Sequence, residues 1–189
     1  MILAGLAAPR RAARVTGLIL GAALLRALLL PVGDLFSTVV FGSCLLAISW
    51  LERDSWTAGS RWGRERAIVA GVMVGAILLV PVVTGPLSAR GFGGFWSWAA
   101  MAAVIATLEE TSIRGVLYRR WEEEGGAAVA IVAGAVVFAL IHLPRYGAGA
   151  MPLDAAVGLA LGGLRALTGR VLPCAVAHVV ADWGAWWWA

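Results

Sequence analysis

The feature that most constrains this sequence is its succession of long apolar segments, which leaves little material for a water-exposed surface. Hydrophobic residues make up 61% of the 189-residue chain, charged residues make up 14%, and the mean hydropathy is +0.86. Soluble domains are about 45–50% apolar and about 25% charged. The composition therefore excludes a water-soluble enzyme and a disordered chain, and it predicts a polytopic membrane protein.

The apolar segments have the length of membrane-spanning helices. A span needs roughly 20 apolar residues to cross about 30 Å of hydrocarbon. The length allows one domain, residues 1–189, and we predict an all-α membrane bundle of about seven transmembrane helices. The sixth span is short and Gly-rich, which predicts close packing or a partly re-entrant path. Breaks at Gly, Pro and charged residues place the spans near 15–33, 35–51, 67–86, 95–118, 127–144, 153–168 and 171–188.

The arginines indicate how the chain is oriented. With a cytoplasmic N-terminus, seven spans place eleven arginines on the cytoplasmic side and only Arg90 and Arg145 on the other. This strong positive-inside bias predicts a cytoplasmic N-terminus. Length and composition favour an integral protein of the bacterial inner membrane. Lysine is absent, which we attribute to a GC-rich coding sequence. The basic pI of about 10.0 is therefore not a sign of nucleic-acid binding, and the expected partner is the lipid bilayer.

The fourth span contains ionisable residues that are costly in a membrane, at about 2.5–3.5 kcal/mol each on insertion scales. Glu110 and Arg114 are four residues apart, so they share a helix face and are expected to pair. Glu109 points about 100° away from that pair and remains available.

The only two histidines of the chain lie in two other spans. His142 ends the segment Phe138-Ala-Leu-Ile-His142 in the fifth span, and His178 begins His178-Val-Val-Ala-Asp182 in the seventh. A single intramembrane histidine is more often a packing residue than a catalyst. Two histidines and a carboxylate on three spans, each with a partner at helical spacing, favour a shared site.

Hydrolysis of a peptide bond is one reaction that such a set allows. Glu109 with His142 could deprotonate a water molecule, while His178, oriented by Asp182, could donate to the developing oxyanion. Glu109, His142 and His178 are equally a zinc ligand set with a fourth position for water. No HExxH motif is present, so a standard zincin helix is excluded, but the residues alone leave both mechanisms open.

The three motifs resemble those of the CPBP intramembrane proteases. The family pattern is EExxxR, FxxxH and HxxxN or HxxxD, matched here by Glu109 to Arg114, Phe138 to His142 and His178 to Asp182. The family includes CAAX prenyl endopeptidases, bacteriocin-processing or immunity (Abi) proteins and myxosortase-like members. The similarity covers about residues 95–189, which we take as the motif-bearing core; the first three spans match only in being apolar.

The resemblance implies an endopeptidase with four catalytic residues. It implies Glu109 as general base, His142 as its assistant, and His178 with Asp182 as the oxyanion-binding pair. Glu110, Arg114 and Phe138 are expected to support them structurally. Asp182 stands where eukaryotic relatives tend to have Asn, and an ionised Asp can orient His178 but cannot donate to an oxyanion. We favour a glutamate-type mechanism without a cofactor, with zinc as the alternative.

The expected substrate is a membrane-anchored protein or peptide that is cleaved near a helix end. Protein sorting or maturation is preferred, CAAX processing is the alternative, and a non-enzymatic immunity or partner-binding protein is the alternative of another class. With the predicted spans, His142 lies near the outer end of its helix whereas Glu109 and His178 lie deeper.

Three further expectations concern charged residues outside these motifs. Arg26 is expected either to pair with Asp34 or to extend to the interface. Arg145 could bind a substrate carboxylate, although a loop cation is the simpler interpretation. Residues 122–124 are interpreted as a solvated acidic loop.

Overall fold

The computed structural model describes residues 8–53, 61–81 and 94–187. Arg90 and its predicted position lie outside them. All regular secondary structure in these ranges is helical, as predicted. A π-helical segment, Thr111–Leu117, joins α4 directly to α5, and a short 3₁₀ turn, Ala148–Ala150, precedes α6. The helices are α1 (Ala8–Leu29), α2 (Asp34–Leu51), α3 (Arg64–Leu78), α4 (Phe95–Glu110), α5 (Tyr118–Tyr146), α6 (Met151–Thr168) and α7 (Leu172–Ala185).

Four helical stretches are long and apolar enough to cross a membrane, which confirms the membrane class. They are Arg11–Leu29, Asp34–Leu51, Phe95–Tyr146 and Ala148–Thr168. Within the described ranges, α3 has 15 residues and α7 has 14, which is short for a complete crossing. The count of seven transmembrane helices therefore stays a prediction.

The long stretch from α4 to α5 turns at Gly126, where φ is 79° and ψ is 178°. Such a φ value favours glycine, so the predicted turn is present. The acidic residues before it were wrongly interpreted as a loop, because the helix continues through them. Arg119 pairs with Glu123 one turn later at 3.2 Å, and Glu124 accepts a hydrogen bond from the Ala12 backbone N–H. These contacts stabilise a helix in a segment whose polar sequence by itself suggested a loop.

One end of the bundle collects most of the described arginines, and we call it the arginine end. Here α1, α3 and α7 begin, while α2 and α6 end. Glu52 accepts hydrogen bonds from both Arg14 and Arg120, which joins three helices. The backbone N–H of Arg61 also bonds to the carbonyl of Thr168 at the end of α6. The opposite end, which we call the mouth end, holds the start of α2 and α4 and the last turns of α1, α5 and α7.

Glycines allow close contact between neighbouring helices. A Cβ placed on Gly158 of α6 would lie 2.7 Å from the Cα of Ala135 in α5, and one on Gly71 of α3 would lie 2.7 Å from the carbonyl oxygen of Pro173 in α7. Backbones can approach this closely only where the side chain is absent. The Gly-rich sixth span therefore packs tightly as a regular helix, and α7 is held against the core beside α4.

Candidate active site

Three elements bring the predicted site residues together at the bundle centre. Glu109 lies at the end of α4, His142 in the last turns of α5, and His178 in the middle of α7. Their side chains are 5%, 12% and 8% exposed, and all three line one pocket. The predicted spans placed His142 nearer the membrane surface than Glu109 and His178. The packing of α4, α5 and α7 nevertheless brings all three side chains together.

Glu109 faces both histidine rings through one carboxylate oxygen. Its Oε2 lies 3.9 Å from Nε2 of His142 and 3.9 Å from Nε2 of His178. These separations exceed a hydrogen bond, but they allow a water molecule to contact all three groups. Asp182 lies at the same place, with Oδ1 3.8 Å from Nε2 of His178. The four residues that the sequence assigns to catalysis thus lie around one point.

The orientation of His142 is fixed by the backbone of its own helix. Its Nδ1 is 2.8 Å from the carbonyl oxygen of Phe138, and because a carbonyl only accepts, Nδ1 must carry the proton. Nε2 is then the atom presented to Glu109. The spacing of four between Phe138 and His142 thus brings the two rings into contact, with centroids 4.3 Å apart and planes tilted by 39°, and it also sets the tautomer.

His178 is oriented mainly by Glu110. Its Nδ1 lies 3.0 Å from Oε1 of Glu110, a residue that is completely buried, whereas Asp182 approaches only the opposite nitrogen. The sequence associated His178 with Asp182 because they are on one helix. The contact with Glu110 depends on how α7 packs against α4, which spacing along the chain does not show.

The predicted ion pair between Glu110 and Arg114 is present and lies next to the candidate catalytic groups. Arg114 Nη1 donates to Oε1 of Glu110 at 3.0 Å, and Nη2 donates to the carbonyl of Gly158 at 3.2 Å. The guanidinium also lies 4.6 Å from the ring centroid of Phe138. Arg114 is 1% exposed. These contacts join α4, α5 and α6, and the structural roles expected of Glu110, Arg114 and Phe138 stay predictions.

The π-helical segment provides contacts that the sequence analysis did not identify. Ser112 contacts Ser49 of α2 through their hydroxyl oxygens at 3.0 Å, and Arg165 of α6 donates to the carbonyl of Arg114 at 2.9 Å. A π-helix shifts the backbone bonding pattern by one residue, and such segments are frequent at functional sites. In the sequence, the only indication of these contacts is that Ser112 and Arg165 are polar residues within apolar spans.

The site opens into a pocket with a cavity volume of about 90 Å³ at the mouth end. Residues of this lining that sequence reasoning did not assign to the site include Arg26 of α1, Thr38 of α2 and Tyr146 of α5. The Tyr146 ring is stacked on His142 at 5.8 Å between centroids, and Trp98 of α4 also lines the opening.

Two expectations for the arginines near the pocket are corrected. Asp34 pairs with Arg145 at 2.5 Å and forms no described ion pair with Arg26, because the start of α2 adjoins the last turn of α5. Arg145 therefore lies in a helix and has an acidic partner, so it is not a loop cation.

Glu109, His142 and His178 also have the geometry of a metal site. One ligand atom from each lies within 4.8 Å of the others. Both histidines direct Nε2 towards Glu109 and contact an oxygen atom through Nδ1. In metal sites, the ring nitrogen that does not bind the ion usually donates to an oxygen atom in the same way. Two imidazole nitrogens and a carboxylate suit zinc, so the donor set fits this metal.

Residues 91–184 match the family model described as Rce1-like, type II CAAX prenyl endopeptidase. That region contains the π-helical segment and all three motifs. The chain belongs to the CPBP family of intramembrane proteases. CPBP membership supports a peptidase in an integral membrane protein. No curated protein and no solved structure matches the chain.

Proposed function

We propose that this CPBP protein is a glutamate-type intramembrane endopeptidase. Glu109 acts as general base on a water molecule placed beside it, and His142 assists by accepting a hydrogen bond from that water at Nε2. The water oxygen attacks the scissile carbonyl, its proton passes to Glu109, and Glu109 returns the proton to the leaving amine. The convergence of both Nε2 atoms on one Glu109 oxygen is the observation that carries this proposal.

His178 stabilises the oxyanion in the proposed reaction. Glu110 accepts from Nδ1 of His178 and so favours a ring with a proton on that nitrogen. The same carboxylate also binds Arg114, so Glu110 is held in place on two sides. Asp182 lies 3.8 Å from Nε2, where it favours the imidazolium that donates to the oxyanion.

A zinc-dependent variant of the proposal would use the same side chains. Glu109, His142 and His178 would hold the ion, which would supply Lewis-acid polarisation of the carbonyl and acidification of a bound water. Their donor atoms suit it, as the geometry above indicates. We favour the metal-free version because His178 lies between the carboxylates of Glu110 and Asp182. Two carboxylates favour the imidazolium that donates to an oxyanion, whereas a histidine that binds a metal must be neutral.

The proposed substrate is a polypeptide anchored in the bilayer and cleaved near a helix end. The arginine end faces the cytoplasm under the positive-inside rule, so the N-terminus is cytoplasmic and the pocket opens on the other face. This favours processing or sorting of an exported protein at the bacterial inner membrane. CAAX processing is the second candidate, because the matching family model describes CAAX prenyl endopeptidases.

Substitution in the purified, reconstituted protein tests the enzymatic proposal. Cleavage of a membrane-anchored substrate should disappear in Glu109→Gln and His142→Ala, while Glu65→Gln, an exposed acid at the start of α3, retains wild-type rates. Wild-type turnover in both site variants would refute the proposal. If the same variants only lower thermal stability and no turnover exists at all, the non-enzymatic alternative is correct.

Elemental analysis tests the metal-free mechanism. Purified active protein should carry no stoichiometric zinc and should retain activity in EDTA. About one zinc per chain, lost together with activity and restored by zinc alone, would establish the metal variant.

The orientation and the substrate class need separate measurements. In a variant without the native Cys44 and Cys174, Ser97→Cys should introduce a thiol that reacts with an impermeant reagent from outside the cell, whereas the thiol of Arg53→Cys should not react. Proteomics of a deletion strain should show unprocessed C-terminal tails. Accumulation of uncleaved leader peptides or prenylated proteins instead would contradict the sorting assignment.

A further inference from the structure

One charged residue in the pocket lies outside the family-matched region. Arg26 belongs to α1 and is 8% exposed, and it lines the same pocket as Glu109 and both histidines. Its side chain therefore points to the interior of the bundle and not to the lipid headgroups, which excludes the interfacial position considered for it from the sequence.

Arg26 has few partners for a buried guanidinium. Nη2 donates to the Thr38 hydroxyl at 3.3 Å, and the group lies 5.0 Å from the ring centroid of Phe41. Its Nε has no hydrogen-bond partner, and in the described ranges no carboxylate lies within ion-pair distance. A guanidinium has five N–H donors, so most of its capacity remains unused.

An unpaired cation in this environment is costly and calls for a compensating ligand. Burial of a charge is tolerated when an anion pairs with it, and the Asp34 carboxylate, which the sequence suggested, binds Arg145 instead. The cation is therefore free to receive an anion that enters through the mouth of the pocket. Carboxylates fit a guanidinium best, because the two groups form parallel hydrogen bonds.

We propose that Arg26 binds a carboxylate group of the substrate and positions the scissile bond beside Glu109. This inference rests on the proposed protease function and adds a recognition element to it. The carboxylate comes either from an acidic side chain near the cleavage point or from a free C-terminus. Thr38 holds the guanidinium and Phe41 supports its face, so the anion approaches from the pocket side.

Four acylated peptides distinguish these sources in a binding assay that needs no turnover. They are decanoyl-tetraalanine with a free C-terminal carboxylate, its C-terminal amide, and two amidated peptides with one Asp or one Asn in place of an internal alanine. Dissociation constants are measured with detergent-purified wild-type protein and with Glu109→Gln, which separates binding from cleavage.

One acidic peptide should bind at least about tenfold more tightly than its neutral counterpart, because charge-assisted hydrogen bonds contribute more than neutral ones. Preference for the free carboxylate identifies a C-terminus, and preference for Asp over Asn identifies a side chain. Arg26→Gln should abolish the preference, whereas Arg26→Lys should keep part of it. Arg145→Gln should retain it, because Arg145 already has Asp34 as partner.

Equal binding of acidic and neutral peptides to the wild-type protein would overturn the inference even if Arg26→Gln did not fold. A preference that persists in Arg26→Gln, or is lost in Arg145→Gln alone, would overturn it as well. The two proposals fail separately. Cleavage that depends on Glu109 without carboxylate preference refutes only the role of Arg26, and carboxylate preference in a protein that cleaves nothing refutes the protease.

Discussion

Glu110→Gln tests whether one buried carboxylate orients both Arg114 and His178. Oε1 of Glu110 accepts from Arg114 and from His178, each at 3.0 Å, and the residue is completely buried. Glutamine has nearly the same shape but no charge. The substitution therefore preserves packing and leaves the guanidinium of Arg114 buried without a counter-ion.

The expected loss is large because one partner of a buried pair is removed. Breaking such a pair costs about 3–5 kcal/mol. For a chain of this length about 1 kcal/mol shifts the unfolding midpoint by about 2–4 °C, so we expect a decrease of about 6–20 °C. The chain provides a matched control in Arg119 and Glu123, which have the same spacing at the surface, where Glu123 is 47% exposed. Glu123→Gln should cost only about 0.3–0.5 kcal/mol.

Thermal unfolding in detergent measures both effects, and a double-mutant cycle with Arg114→Met assigns the loss to the pair. If the pair is the cause, the double variant loses less stability than the two single variants together. Equal midpoints for Glu110→Gln and Glu123→Gln, or strict additivity with Arg114→Met, would refute this reasoning. Cleavage should also fall in Glu110→Gln, since His178 loses the group that orients it.

Two further predictions concern the arginine end and the packing of α6. Burial alone would raise the pKa of Glu52, but hydrogen bonds from Arg120 and Arg14 hold it below its ordinary value of 4.5. Ionised Glu52 therefore stabilises the fold above its unfolded pKa, and this stabilisation is lost as the pH falls through its lower folded pKa. In Glu52→Gln, the unfolding midpoint should consequently depend less on pH below about pH 5. Gly158→Leu should destabilise the bundle by about 1–3 kcal/mol because its Cβ would lie 2.7 Å from the α5 backbone. A Cβ at Gly163 would meet no neighbouring group within 4 Å, so Gly163→Leu should leave the unfolding midpoint close to that of the wild-type protein.

The parts of the site that depend on local spacing could be predicted from the sequence. A separation of four residues on a helix is enough to pair Glu110 with Arg114, and it places Phe138 against His142. The convergence of the three motifs follows from the cost of ionisable groups in a membrane, since Glu109 can be accommodated only where other polar groups gather.

The parts that depend on packing between helices could not be predicted in this way. The partner of His178 is a residue 68 positions earlier, and Arg165 bonds to a carbonyl 51 positions earlier. Which helices touch is decided by close approach at glycines such as Gly158, and periodicity along one helix contains no such information. The acidic segment before Gly126 was misjudged for a related reason, since its helical form is stabilised by pairing with Arg119 and by contact with α1.

The two halves of the chain contribute different parts of the candidate site. The proposed catalytic groups all come from residues 91–184, the segment that matches the family. The lining nearest the mouth also uses α1 and α2, which contribute Arg26 and Thr38, while Asp34 holds Arg145 at the last turn of α5. The proposed catalytic groups thus lie in the family-matched segment, whereas part of the pocket lining comes from helices outside it. If Arg26 binds the substrate as proposed, substitutions in α1 and α2 should change substrate selectivity without displacing Glu109 and the two histidines.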